Sequence, residues 1–267
     1  ASGQDIAQVC VMADGQGWQQ VPQLSVLPAH ILLHELELSA TPGIPIARGG
    51  ADLSTLTWDP ESSRHLLAFG SQGCGKSSLI RTIVTGLTIV GREKARLVFF
   101  DLRRTHLGLV PEDMLAAYCA TSTAVHNTIK DMVATLSARL PGPDITAQEL
   151  RERSWWQGPD IYLVIDDYDL LPAGTLHPLR EIIPHARDVG LHIVLTRKAG
   201  GASRALYDPV MSEIKDQSPH VVLFDADRDE GAILGIKPTA QPPGRATMSI
   251  RGENIGVAQM ARMGDDS

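Results

Sequence analysis

The stretch Gly70-Ser71-Gln72-Gly73-Cys74-Gly75-Lys76-Ser77 has the spacing GxxxxGKS, and each fixed position in it meets a physical need. A polyphosphate is held by backbone N–H groups that converge on an anion, and a glycine-rich turn running into a helix N-terminus brings several of them close enough. Gly73 and Gly75 let the chain wrap a β-phosphate, Lys76 reaches for β- and γ-oxygens, and the Ser77 hydroxyl suits Mg2+. With Ser78 these residues form the expected ATP-binding run. Chance alone yields such a match in about one chain in a hundred of this length.

The flanking sequence supplies the context that the loop requires. Residues 65–69, His-Leu-Leu-Ala-Phe, read as a buried strand, and residues 77–90 carry Leu79, Ile80, Ile83 and Leu87 at helical spacing. Further apolar runs at 97–100, 161–165, 191–195 and 221–224 read as strands. Residues 123–140, with Val125, Ile129, Met132, Val133 and Leu136 on one face, read as a helix stopped by Pro141-Gly142-Pro143. Residues 177–188 read as a helix that Pro184 would kink or divide and Gly190 would end. Strands alternating with helices predict an α/β fold with a mainly parallel sheet covered on both faces. Residues 247–250 and 255–258 predict a closing hairpin. Residues 1–60 offer short apolar pieces, at 8–12 and 42–50, between Gly and Pro breakers. We divide the chain into a leading segment, 1–40, and a nucleotide-binding domain, 41–267.

Phosphoryl transfer needs a carboxylate near the metal, a group that orients water and a cation over the developing charge. Asp166 and Asp167, directly after five apolar residues, fit the first two roles, with Asp166 toward Mg2+ and Asp167 toward water. Glutamate is the usual second acid. Aspartate is one methylene shorter and sits roughly 1–1.5 Å further from the water, a displacement that can cost on the order of 10²-fold in rate. Slow or conditional hydrolysis is the expectation, so Lys76, Asp167 and Arg187 are catalytic candidates only in that sense. Arg187 is the candidate cation, supplied to a neighbouring subunit, or else a helix-end charge. Thr196 and Arg197, closing the 191–195 strand, are candidates to sense a γ-phosphate.

Composition excludes other classes. A formal net charge of −7 over 267 residues disfavours a nucleic-acid partner. No apolar run approaches the ~20 residues that span a bilayer, so no membrane insertion of this segment is expected. Cys10, Cys74 and Cys119 match no ligand spacing, the nine histidines show no HExxH pattern, and zinc chemistry is not expected. Trp155-Trp156 reads as a cap over the sheet edge in preference to a peptide contact.

Taken in order, several segments resemble the FtsK/SpoIIIE class of P-loop ATPases and, more closely, an ATPase domain of EccC, the motor of type VII secretion systems. They are Pro45-Ile46-Ala47-Arg48, residues 70–77, Phe100-Asp101-Leu102-Arg103-Arg104-Thr105, Ile165-Asp166-Asp167-Tyr168, Ala186-Arg187-Asp188-Val189-Gly190-Leu191-His192, Ile233-Leu234-Gly235-Ile236 and Pro242-Pro243-Gly244-Arg245-Ala246. The resemblance implies a RecA-like domain that binds ATP and Mg2+ through Lys76, Ser77, Asp166 and Asp167, with Arg187 acting in trans in a ring. It implies as partners the other ATPase domains of the motor, ring neighbours and the C-terminal signal of secreted WXG-type proteins. It also implies a cytoplasmic place in a complex on the inner membrane, as the last domain of the string. Asp167 in place of glutamate and Thr196-Arg197-Lys198 in place of Thr-Gln-Arg depart from the DNA translocases. A DNA translocase and a non-hydrolysing, ATP-bound recognition module remain the alternatives.

Overall fold

The computed structural model describes residues 26–36, 42–50 and 52–264; the apolar piece at 8–12 and Cys10 lie outside them. Ten strands form one sheet: β1 Ile44–Gly49, β2 Ser54–Trp58, β3 His65–Gly70, β4 Ala95–Phe100, β5 Leu115–Cys119, β6 Asp160–Ile165, β7 Leu191–Lys198, β8 His220–Leu223, β9 Arg245–Ile250 and β10 Glu253–Met260. The helices are α1 Lys76–Val90, α2 Ser122–Ser137, α3 Ala147–Glu152, α4 Ala186–Val189, α5 Ala202–Ala205 and α6 Pro209–Asp216. The strand order is β2-β1-β10-β9-β8-β3-β7-β6-β4-β5. From β8 to β5 all neighbours are parallel, and β9, β10, β1 and β2 extend the sheet antiparallel.

Strand β3 is central and buried at every position, which is why it reads as an unbroken apolar run rather than an alternation. Its side chains feed two cores. Leu67 and Phe69 join one with α2, α4 and α6, while Leu66 and Ala68 join the other with α1. Helix α1 lies so close to β1 that a Cβ at Gly86 would run into the Ile44 side chain, so glycine is required there despite its low helix propensity. Residues 31–36 lean on the end of β10 through Ile31, Leu36 and Ala261.

Besides the short helices α3, α5 and α6, for which the sequence raised no expectation, two elements differ from it. Residues 177–188 form two 3-10 turns, His177–Leu179 and Ile183–His185, and then α4. Pro178 and Pro184 each stand inside a 3-10 turn, where proline's missing N–H prevents a continuous ladder. Strand β5 was not read from sequence because Leu115-Ala116-Ala117-Tyr118-Cys119 is weakly apolar and lies at the sheet edge. The two tryptophans are a cap: Trp155 Nε1 donates to the Arg139 carbonyl and Trp156 Nε1 to the Asp188 carbonyl, both at 2.7 Å. Arg139 stacks on the Trp156 ring at 4.2 Å.

Burial pushes two histidines far below their ordinary range, His65 to about 3 and His220 to about 4. An unfolded imidazole titrates near 6.5. The stability gained by burying the neutral rings is therefore complete above that pH and is lost as pH falls toward 4, at about 1.4 kcal/mol per pH unit for each ring. Thermal unfolding followed from pH 7.5 to 4.5 should show this decline, and a His220→Leu chain should show a shallower one.

Candidate functional site

The glycine loop connects β3 to α1 at the C-terminal edge of the parallel strands, the edge where open α/β sheets bind ligands. Gly73 and Gly75 have φ of +75° and +121°, so the loop's amides turn inward in a shape that other residues rarely adopt. A Cβ at Gly70 would lie 2.5 Å from Cys74 Sγ and 2.7 Å from Phe224 Cβ. The loop is braced from the neighbouring strands. Ser71 Oγ donates to Asp225 Oδ2 at 2.7 Å, and the Gly244 N–H donates to the Cys74 carbonyl at 2.8 Å. Burial raises the pKa of the Cys74 thiol, which makes it a packing residue rather than a nucleophile. Lys76 Nζ donates to the carbonyls of Gly70 and Ser71 at 3.1 and 2.8 Å.

Asp166 follows β6 and is 4% exposed. Its Oδ2 accepts from Ser77 Oγ at 2.9 Å and from His106 Nε2 at 2.8 Å, and its Oδ1 accepts from Thr196 Oγ1 at 2.5 Å. Burial alone would raise this carboxyl's pKa, but these donors hold it below its ordinary value, so it stays ionised. The loop and the 165–167 strand end are thus brought together as the sequence expected. A hydroxyl and one ionised carboxylate are the hard-oxygen set that Mg2+ takes alongside phosphate oxygens and water, so Ser77 and Asp166 fit that ion.

Asp167 has a left-handed backbone, φ +54°, and its N–H donates to Thr196 Oγ1 at 2.9 Å. Burial and the adjacent Asp166 raise its pKa, and Lys76 and Arg103 oppose the rise. Its Oδ2 is paired with Arg103 Nε at 2.7 Å. Thr196 therefore touches both acids, while Arg197 turns toward its own loop, donating to the Lys198 and Gly200 carbonyls. Arg187 stands on α4, ahead of β7, at the opposite edge of the sheet from the glycine loop. Across the length of β7 it cannot reach its own chain's site.

Sequence reasoning missed His106, Arg103 and Asp225. His106 is held because Asp101 Oδ2 accepts its backbone N–H at 2.7 Å and Tyr118 OH donates to the same oxygen at 2.7 Å. A lone histidine in a loop gives no signal in sequence, and only the fold sets it against Asp166. The loop lines two hollows. One, of about 510 Å³, runs from Gln72, Lys76 and Ser77 to Arg103, Asp167, Asp169 and Lys198. The other, of about 260 Å³, lies beyond Gly73, Gly75 and Ser78 and is walled by His30, Pro243, Gly244, Gln259 and Met260.

No protein-family model matches the chain. It is 38% identical over 248 residues to the ESX secretion system protein EccC of Thermomonospora curvata, covering 90% of this chain and 19% of that protein. It is 39% identical over 202 residues to the ESX-4 secretion system protein EccC4 of Mycobacterium tuberculosis, covering 74% of this chain and 16% of that one. The solved structure of Thermomonospora curvata EccC (ATPases 2 and 3) in complex with a signal sequence peptide superposes with a TM-score of 0.85 at 34% identity, over 96% of this chain and 48% of that one. The chain therefore spans less than a fifth of the length of these two curated relatives.

Replacing Thr196 with valine keeps the shape but leaves Asp166 short of one donor and the Asp167 N–H without its acceptor. The expected cost is about 1–3 kcal/mol, read as a fall in melting temperature of roughly 2–4 °C for each kcal/mol in a domain of this size.

Proposed function

This chain belongs to the family of EccC-type ATPase domains of ESX secretion systems, and from that premise we propose that it binds ATP with Mg2+ and hydrolyses it slowly or only within an assembly. The observation that carries this reading is the contact between Ser77 Oγ and Asp166 Oδ2, set directly below the glycine loop. The phosphates lie in the 510 Å³ cleft on the loop amides and Lys76, whose ammonium exchanges the Gly70 and Ser71 carbonyls for phosphate oxygens. The base and ribose enter the 260 Å³ hollow beside Gly244 and Met260. Ser77 and Asp166 would hold Mg2+, which would supply charge neutralisation of the β- and γ-phosphates. Asp167 orients the attacking water, and Arg187, exposed on the far edge, serves the site of a neighbouring domain.

The second reading, a recognition module that keeps ATP bound without turnover, is favoured by the short, ion-paired Asp167 and by the signal sequence peptide bound to the Thermomonospora curvata relative. Under both readings the domain works in a type VII secretion complex on the cytoplasmic face of the membrane, takes the C-terminal signal of WXG-type substrates and binds no nucleic acid. Among the described residues no helix is long and apolar enough to cross a membrane. The surface best suited to an apolar signal segment is a cleft of about 830 Å³ at the opposite sheet edge, with Leu33, Ile44, Ile89 and Val90 on its walls. There Ile89 and Val90 are both exposed, adjacent at the end of α1, and extend the apolar wall of the cleft to the surface.

Calorimetric titration with ATP·Mg2+ should show micromolar binding that Lys76→Ala abolishes. Phosphate release should be slow in the wild type and rise in Asp167→Glu. No turnover in the wild type with a gain in that variant favours the recognition module, and nucleotide binding that survives Lys76→Ala sinks the site as drawn. A signal peptide should bind the wild type and lose affinity for Ile89→Asp; equal affinity for both would place the peptide elsewhere.

A further inference from the structure

Two ion pairs close the phosphate end of the 510 Å³ cleft. Arg103 Nε meets Asp167 Oδ2 at 2.7 Å, and Lys198 Nζ meets Asp169 Oδ2 at 3.6 Å. Lys76 is the third cation on this wall and is bonded only to loop carbonyls. The two ends of the Arg103–Asp167 pair are held very differently. Asp167 is fixed through its backbone N–H on Thr196, and its side chain is only 20% exposed. Arg103 rides on the short loop after β4, and its side chain is 59% exposed.

That loop is clamped at both ends. Asp101, 1% exposed, accepts the N–H of His106, and the Arg104 N–H donates to the Asp101 carbonyl at 3.1 Å. The His106 ring is in turn bonded to Asp166. Arg103 is therefore carried on a loop that Asp101 and His106 tie to Asp166, and its side chain lines the same cleft as Ser77.

We propose that Arg103 is a γ-phosphate-binding residue whose pairing with Asp167 holds that acid out of action until ATP displaces it. An ion pair whose arginine is this exposed is screened by water and contributes little to stability. A terminal phosphate offers a guanidinium a doubly charged, bidentate partner that a single carboxylate cannot match. Exchange of partners is therefore favourable when a γ-phosphate is present, and it does not occur with a diphosphate, whose charge ends at the loop and Lys76. Once the guanidinium has left, the Asp167 carboxylate oxygen that Arg103 had occupied is free to accept a hydrogen bond from water in the cleft. The domain thereby distinguishes ATP from ADP with a residue outside the glycine loop and couples that distinction to the readiness of its acid.

This inference rests on the ATP-binding reading above, and the test separates the two. Calorimetry of the whole chain with ATP·Mg2+ and ADP·Mg2+ is run on the wild type, Arg103→Ala, Asp167→Asn and the double variant. Arg103→Ala should lose about tenfold in ATP affinity and less than twofold in ADP affinity. Asp167→Asn, which frees the arginine, should bind ATP several-fold tighter, about threefold or more, and the double variant should match Arg103→Ala alone. Equal losses for both nucleotides, or no change in either single variant, would overturn the proposal while leaving ATP binding intact. A wild type that binds neither nucleotide would overturn the ATP-binding reading and this inference with it.

Discussion

Asp166 is an ionised carboxylate in the interior, and a charge there is tolerated only if hydrogen bonds replace the water it has lost. Three side chains supply them: Ser77 from the start of α1, Thr196 from the end of β7 and His106 from the loop after β4. Each donor arrives on a different element, so the requirement to satisfy one carboxylate fixes the relative positions of the glycine loop, three parallel strands and the 101–106 loop. Asp101 extends the constraint by holding His106 and Tyr118. The site is consequently one connected polar network, and a defect in any member is transmitted to Ser77 and Asp166.

Around this network the sheet does two jobs. Its parallel half, β8 to β5, places every strand end that carries chemistry at one edge. Its antiparallel extension folds the chain's later part back over the loop, so that Gly244 supports Cys74 and Gln259 and Met260 wall the second hollow. Gly244 has a φ of +77°, which explains why the Pro242-Pro243-Gly244-Arg245-Ala246 segment carries a glycine at its centre. The opposite edge holds a different set of features. Asp160 there is buried and is held by His192, Arg153 and Arg64, below its ordinary pKa despite the burial that opposes it. Arg153 also donates to the carbonyl of Arg187 at 2.9 Å. The apolar cleft, which Arg153 lines, is therefore tied to the backbone of Arg187, well away from the glycine loop.

The glycine loop, the strand before it and the acid pair were legible because they are local: a spacing of glycines, a lysine and a serine, and apolar runs that end in carboxylates. The division of residues 177–188 was foreseeable at Pro184, and the cap role of Trp155-Trp156 followed from their neighbours. Strand β5 was not legible, since an edge strand of small residues has neither the periodicity nor the hydrophobicity that marks a buried one.

By itself the sequence determined that this chain is an α/β domain with a GxxxxGKS loop between a buried strand and a helix, that an acid pair closes another apolar strand, and that the second of those acids is aspartate. Only the tertiary structure decided that His106 and Thr196 complete the shell of Asp166, that Arg103 occupies Asp167, and that Arg187 lies beyond reach of its own site. The reason is physical. Backbone-driven motifs write themselves in consecutive residues, whereas partners of a buried charge are chosen by proximity across strands, over separations of 30 to 89 residues for the donors to Asp166.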